Sequence, residues 1–342
     1  MKQIFSILML ALIAIGCSQA SANSSYKKPD APERKGWQGK PLYGDVESIT
    51  QVSYTLEGKF GKIKRGETIA KTITYFNEAG DVTEHIKYDS NGTLGFKFIY
   101  KYDATGNVTE WAWCDLDGTL DRKDIYKYDA AGNVTEWALY NSDGSLICKW
   151  IYKYDAAGNM TERAWYDSDG SLYNKDIYKY DDKGNMTEMA TYNSDGSLSG
   201  KYIYKYDAAG NRTEEAWCKS DGSLHSKYIR KYDDKGNMTE EAGYCSDSSL
   251  NYKHIYKYDD KGNMTEIAGY KSDGNIIETV IYKYDAAGNM TEMATYDSDG
   301  SLRYKTIYKY DDKGNWTEWT EYAGEAMIPT KGGVQEIVYR NN

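Results

Sequence analysis

Apolar and polar positions alternate along most of this chain in runs of about eight residues, and each run ends in a turn signal. The runs are rich in Tyr, Ile, Thr and Trp, the composition of half-buried strands. One unit reads Ile125-Tyr126-Lys127-Tyr128, then the turn Asp129-Ala130-Ala131-Gly132-Asn133, then Val134-Thr135-Glu136 and a variable stretch. It closes with a second turn, Asn141-Ser142-Asp143-Gly144-Ser145, followed by Leu146. Both turns read as type I turns ended by a left-handed Gly, which makes three-residue hairpin loops with a bulge. The unit recurs every 26 residues, ten times, without insertion or deletion, with the Gly in step from Gly80 to Gly314 and the Glu from Glu84 to Glu318. A fixed period of this size signals a repeat architecture in which each unit packs on its neighbours.

Alternation also predicts which side chains share a face. If Asp129 faces Asn133, then Tyr128 faces Val134 and Tyr126 faces Glu136, with Ala138, Tyr140 and Leu146 on the same side. Ile125, Lys127, Thr135 and Lys149 then share the opposite face with the variable Trp137 and Leu139. A phenol-to-carboxylate hydrogen bond between Tyr126 and Glu136 would satisfy the repeated Glu as a structural ladder.

The predicted fold is all-β: tandem 26-residue β-hairpin repeats forming an elongated, twisted antiparallel sheet or superhelical ribbon. Ten repeats span 73–322. Residues 44–72 hold the alternating run Val46 to Tyr54 and read as N-terminal capping strands, and 323–342 read as a C-terminal capping strand that protects the other edge. Residues 1–22 read as a signal peptide, with Lys2 ahead of an apolar run from Ile4 to Ile15 that is too short to span a membrane comfortably. Two exits compete. Ala14-Ile15-Gly16-Cys17 resembles a lipobox, which would leave Cys17 lipidated, and Ala20-Ser21-Ala22 fits ordinary cleavage before Asn23. Residues 23–43 are a polar, Pro-bearing tether.

Composition narrows the function. The formal net charge of -10 excludes the basic stripe of a nucleic-acid groove and docking on anionic lipid. Membrane attachment is expected only through a lipid anchor at Cys17. Tyr is the outlier, with 35 copies against 5 Phe. Cys114 and Cys218 replace a repeated Tyr and lie four repeats apart, and Cys245 is two strands from Cys218, so free thiols are expected together with Cys148.

The phased run Tyr152-Lys153-Tyr154-Asp155-Ala156-Ala157-Gly158-Asn159-Met160-Thr161 resembles the YD repeat of the Rhs family, over about 73–322. The order of turn and strand also resembles the MORN-type ribbon. The resemblance implies a β-spiral or shell that encloses a toxin or mediates cell-surface contacts, and several YD-repeat proteins are linked to carbohydrate binding. This chain is much shorter than the large Rhs shells, and its ten repeats read as too few for a closed cargo shell. It is more similar to small exported YD-repeat proteins of Bacteroidetes-type bacteria.

Chemistry-bearing motifs are sparse. His85, His225 and His254 occupy different slots of the repeat, so neither a triad nor a metal cluster is suggested. Asp167-Ser168-Asp169-Gly170-Ser171 lacks the later acids of a calcium loop, and Asn133-Val134-Thr135, a formal glycosylation sequon, reads as hairpin chemistry. No enzyme, cofactor or metal is expected. The candidate ligand-binding residues are Trp111, Trp113, Trp137, Trp165 and Trp217, placed on the face opposite the Tyr ladder, where exposed rings could stack on sugars or partner side chains. The same rings could instead close a second core layer if the ribbon curls. The expected function is an exported, lipid-anchored, non-enzymatic protein in the cell envelope or at the outer surface (without the lipid, periplasmic or secreted). Its β-ribbon would bind a polysaccharide, an envelope polymer or a surface protein. The alternative is a structural spacer or protein-interaction module with no small ligand.

Overall fold

The computed structural model describes residues 34–35, 41–59 and 62–340. The signal segment, Cys17 and most of the tether lie outside the described residues. Within them the turn chemistry is as read. The Asp129 N–H donates to the Asn133 carbonyl at 2.9 Å and the Gly132 N–H to the Asp129 carbonyl at 3.1 Å. The Asp129 carboxylate accepts from the backbone N–H groups of Ala131 and Asn133 and from the Asn133 amide, so the Asn of the formal sequon is committed to the turn. Gly132 has φ 86°, and a Cβ built there meets nothing within 4 Å, so the demand for Gly is conformational rather than steric.

Every described element is a strand. Apart from a two-stranded pairing of Arg34–Lys35 with Pro41–Leu42, 22 strands follow one another around a closed barrel in chain order. This corrects the open ribbon. The two expected caps are one seam: Ile328–Tyr339 pairs antiparallel with Val46–Lys59, setting Gln335 opposite Gln51 and Ile337 opposite Ile49. Closure removes both free edges, which a pair of caps would only have shielded. Leu42, Val46, Ile49 and Phe76 form a small apolar core beside this seam, with Val82, Ile337 and Tyr339 packed against it.

The expected faces are also corrected. Tyr128 does pair with Val134, but the register then shifts, and Lys127 pairs with Glu136 and Tyr126 with Trp137. Thr135 is the extra residue of a bulge, and one extra residue moves the rest of its strand to the other face. Tyr126, Tyr128 and Val134 therefore share a face with Trp137 and Leu139. Glu136, Ala138, Tyr140 and Leu146 share the other with Ile125, Lys127 and Lys149.

The register also sets the size of the barrel and its inside. Ala138 pairs with Ile125 on one side and with Lys149 on the other, two residues before Ile151, the next copy of Ile125. Two residues of stagger per two strands correspond to a tilt of about 35°, and 22 strands at that tilt close a circle about 40 Å across between backbones. Strand twist coils the strands right-handed around the axis. With the register falling back toward each next strand, this handedness turns the Lys127–Glu136 face outward and the Tyr126–Trp137 face into the lumen.

The outer face is nearly invariant. Nine Lys–Glu pairs, from Lys101–Glu110 to Lys309–Glu318, lie at 2.7–3.0 Å. The Glu that was expected to meet Tyr126 thus meets Lys127. Each such pair is exposed and contributes about 0–1 kcal/mol. Between the charges, the Ala at each repeat from Ala112 to Ala294 is 1–8 % exposed, beneath the stems of its larger neighbours. A band of Lys and Glu around the outside is the reverse of the apolar belt that a transmembrane barrel presents to lipid.

Candidate functional site: the inner wall

The second Tyr of each Tyr-Lys-Tyr run ties one repeat to the one before. Tyr128 donates its hydroxyl to the Val108 carbonyl at 2.6 Å, and the same bond recurs from Tyr102 to Tyr310 at 2.6–2.9 Å. These rings are a regular course in the lumen wall. The variable positions stand among them.

The candidate tryptophans all point inward, on the same face as the repeated Tyr rather than opposite it. Trp111 stacks on Tyr100 at 6.3 Å and Trp137 on Tyr126 at 6.0 Å, with planes 11° and 8° apart. Trp137, Trp150 and Trp165 form a continuous stack, with centroids 4.2 and 5.6 Å apart, that ends at Tyr173. Trp113 meets Phe98 at its edge and carries the Arg122 guanidinium over its ring at 4.1 Å. Trp217 lies apart from these, against His225 at 3.9 Å and Tyr202 at 6.3 Å. The structure therefore joins Trp111 to Trp113 through Phe98, joins Trp137 to Trp165 through Trp150, and leaves Trp217 in a separate group. Trp150 and Phe98 are the members that sequence reasoning missed. Their signal is their place two residues before a repeated Tyr (Tyr152 and Tyr100), which alternation puts on that ring's face.

Several charges on this wall are paired. The Asp176 carboxylate, 4 % exposed, accepts from Arg163 Nε and Nη2 at 3.0 and 2.7 Å and from the Thr191 hydroxyl at 2.6 Å. Arg230, which stands in a Tyr slot, donates to Glu241 at 2.8 Å and to Glu215 at 3.3 Å. His85 shares a 2.8 Å hydrogen bond with Thr74, and burial pushes its pKa down to about 4. Among the described residues no group of His, Cys, Asp and Glu could hold a metal ion. Cys114, Cys148, Cys218 and Cys245 are free thiols.

Asp124 occupies the slot of Asp176 but receives the Trp137 indole N–H in place of a guanidinium fork. Burial raises its pKa to about 6, against the opposing pull of the indole and of Arg122. Its folded pKa lies above its unfolded value of about 3.9, so the folded protein binds this proton more tightly. The buried charge weakens the fold above about pH 6, and this loss is recovered as the pH falls from 6 toward 4. Asp124→Asn, which keeps an acceptor for Trp137, is expected to stabilise the barrel at pH 7.5 by up to about 2–3 kcal/mol. Melting curves at pH 5 and 7.5 check this: the gain of the variant at 7.5 should be about twice its gain at 5. An equal effect at both values would show that Asp124 is not the titrating group.

A family model described as teneurin YD-shell matches residues 37–217, just over half of the chain. No curated protein matches it. Among solved structures, a Tc holotoxin pore of Photorhabdus luminescens aligns with 84% of this chain at 16% identity and a TM-score of 0.40, and the chain spans 18% of that protein's length. A porin-like protein from Bacteroides uniformis aligns over 86% of this chain and 96% of its own at 10% identity and a TM-score of 0.29. Likenesses this low carry no argument about function.

Proposed function

The chain belongs to the teneurin YD-shell family, and on that premise we propose that its closed β shell is a non-enzymatic binding protein whose lumen wall holds a polysaccharide or envelope polymer. One observation carries the reading. The variation between repeats is concentrated on the inner face, where the rings gather, while the outer face repeats a single Lys–Glu pattern. Variation where a ligand would lie and uniformity where solvent lies are the pattern of a recognition surface carried on a scaffold. Ring edges and faces along the wall supply weak contacts, and such contacts add along a polymer through effective concentration. Export and anchoring through Cys17 would put this shell in the cell envelope.

A second reading is favoured by the ring packing itself. Trp137, Trp150 and Trp165 cover one another, as rings in a wall layer do, and a shell stiffened in this way would serve as a spacer or protein-contact module. The test is binding of the purified mature protein, from Asn23 onward, to glycans, peptidoglycan and matrix polymers of graded length, followed by Trp fluorescence. Affinity should rise with length and fall about tenfold or more in Trp150→Ala, whose loss opens the stack, because each lost ring contact is worth about 1 kcal/mol or more and repeats along the chain. Silence across the panel would leave the spacer reading.

A further inference from the structure

The inner wall thins at one place. The slot that holds Trp113, Trp165 and Trp217 in other repeats holds Gly243, and Gly269 one repeat on. An open cleft of about 370 Å³ lies beside Gly243, lined by Lys219, His225, Ser226, Tyr228, Asn251 and Tyr252. The Tyr252 ring leans over Gly243 so closely that a Cβ there would come within 2.7 Å of it. Tyr228 and Tyr252 stand 6.4 Å apart at 52°, and His225 is backed by Trp217. The rim turn beside the cleft also departs from the repeat. Cys245 stands where most other copies have Asp or Asn, and Ser248, at φ 66°, stands in the place of the left-handed Gly. A non-Gly residue held at that angle costs about 1 kcal/mol or more.

We propose that this cleft is a subsite for one neutral sugar ring, either free or at the end of a glycan. The proposal rests on the reading of the inner wall as a glycan surface and names its most selective point. Its volume lies at the small end of ligand sites, roughly 300–1,000 Å³, which suits one ring rather than a chain. Tyr228, Tyr252 and His225 supply ring surface for the C–H face of a sugar. The Ser226 hydroxyl, the Asn251 amide and the tyrosine hydroxyls both donate and accept, which matches the dual character of sugar hydroxyls. The one cation in the lining, Lys219, is within electrostatic reach of Asp221 in its own turn.

The test is titration of the purified protein with neutral hexoses, N-acetylhexosamines and glucuronate, read by calorimetry and by the fluorescence of Trp217 behind His225. Gly243→Thr pushes the Tyr252 ring off its seat over Gly243 and so removes one wall of the cleft, and folding should survive because Thr295 already faces Tyr304 in the same pairing. Asn251→Ala removes an exposed polar partner without touching the barrel. Saturable binding of a neutral ring by the native protein is expected, reduced about tenfold or more by Gly243→Thr and several-fold by Asn251→Ala. Lys283→Ala, on the outer face, should leave monosaccharide binding intact. Absence of monosaccharide binding while long polymers still bind would overturn the subsite and spare the wall. Monosaccharide binding without any polymer dependence would do the reverse. Preference for glucuronate, or binding unchanged in Gly243→Thr, would overturn the proposal as stated.

Discussion

A chain ending at Glu325 is expected to lose the barrel as a unit. Ile328–Tyr339 is the strand that joins the last repeat to the first barrel strand, pairing with Trp316–Ala323 on one side and Val46–Lys59 on the other. The side chains of this seam reach far along the chain: Gln51 Nε2 donates to Gln335 Oε1 at 2.8 Å, and Arg340 grips Asp45 at 3.1 Å and also donates to the Phe76 carbonyl. Asn315 locks the segment before the first barrel strand, bonding Tyr43 through both its backbone N–H and its carbonyl. Without the closing strand, two edges would be exposed and the inner aromatic wall opened to solvent, a template for association between chains. The expected outcome is a shift from monomer to aggregate in light scattering, with rapid proteolysis. A milder probe is Gly332→Val, because a Cβ at Gly332 would lie 2.9 Å from the Tyr54 ring and 3.2 Å from the Trp319 carbonyl. A truncated chain that stays monomeric, compact and protease-resistant would show that the repeats hold their curvature without the seam.

The second large effect is expected at Arg163 and Asp176. Removing the guanidinium by Arg163→Met leaves the Asp176 carboxylate, 4 % exposed, with Thr191 as its remaining side-chain partner. Stranding a buried charge costs roughly 3–5 kcal/mol, and the partial exposure of Arg163 places this case at about 3. The double variant Arg163→Met with Asp176→Leu should recover most of that loss, since two apolar groups can replace a buried pair with little net change. Denaturant unfolding of both singles and the double gives the coupling directly. Singles no worse than a surface substitution, within about 0.5 kcal/mol, would mean that water already reaches the pair.

Much of the local structure was legible in the repeat. The Asp-x-x-Gly-Asn turn forms as read because its bonds join residues within five positions, and Gly132 needs only its own positive φ. The runs between turns became strands because alternation and Tyr, Ile and Thr content agree. The faces did not follow. The sequence reading carried the hairpin register straight through from Asp129–Asn133, and the bulge at Thr135 moved Glu136 from Tyr126 to Lys127. The charge pattern held the missing signal, since a Lys and a Glu that recur in step make better cross-strand partners than a Tyr and a Glu. The tryptophans were singled out as a variable row but placed on the opposite face, and Trp150 was passed over because it lies on the other strand of its hairpin.

What the sequence by itself determined is the period, the hairpins and their turns, because each depends on contacts a few residues long. What only the tertiary structure decided is closure, and with it which face is inside. Curvature accumulates slowly, through a two-residue stagger at each repeat, and no single repeat shows whether the twenty-second strand will come round to the first. That outcome depends on a seam between Val46–Lys59 and Ile328–Tyr339, whose paired residues lie more than 270 positions apart in the chain. Once the ring closes, twist handedness leaves one choice of inner face, and the aromatic row becomes the wall of a lumen rather than an exposed ribbon.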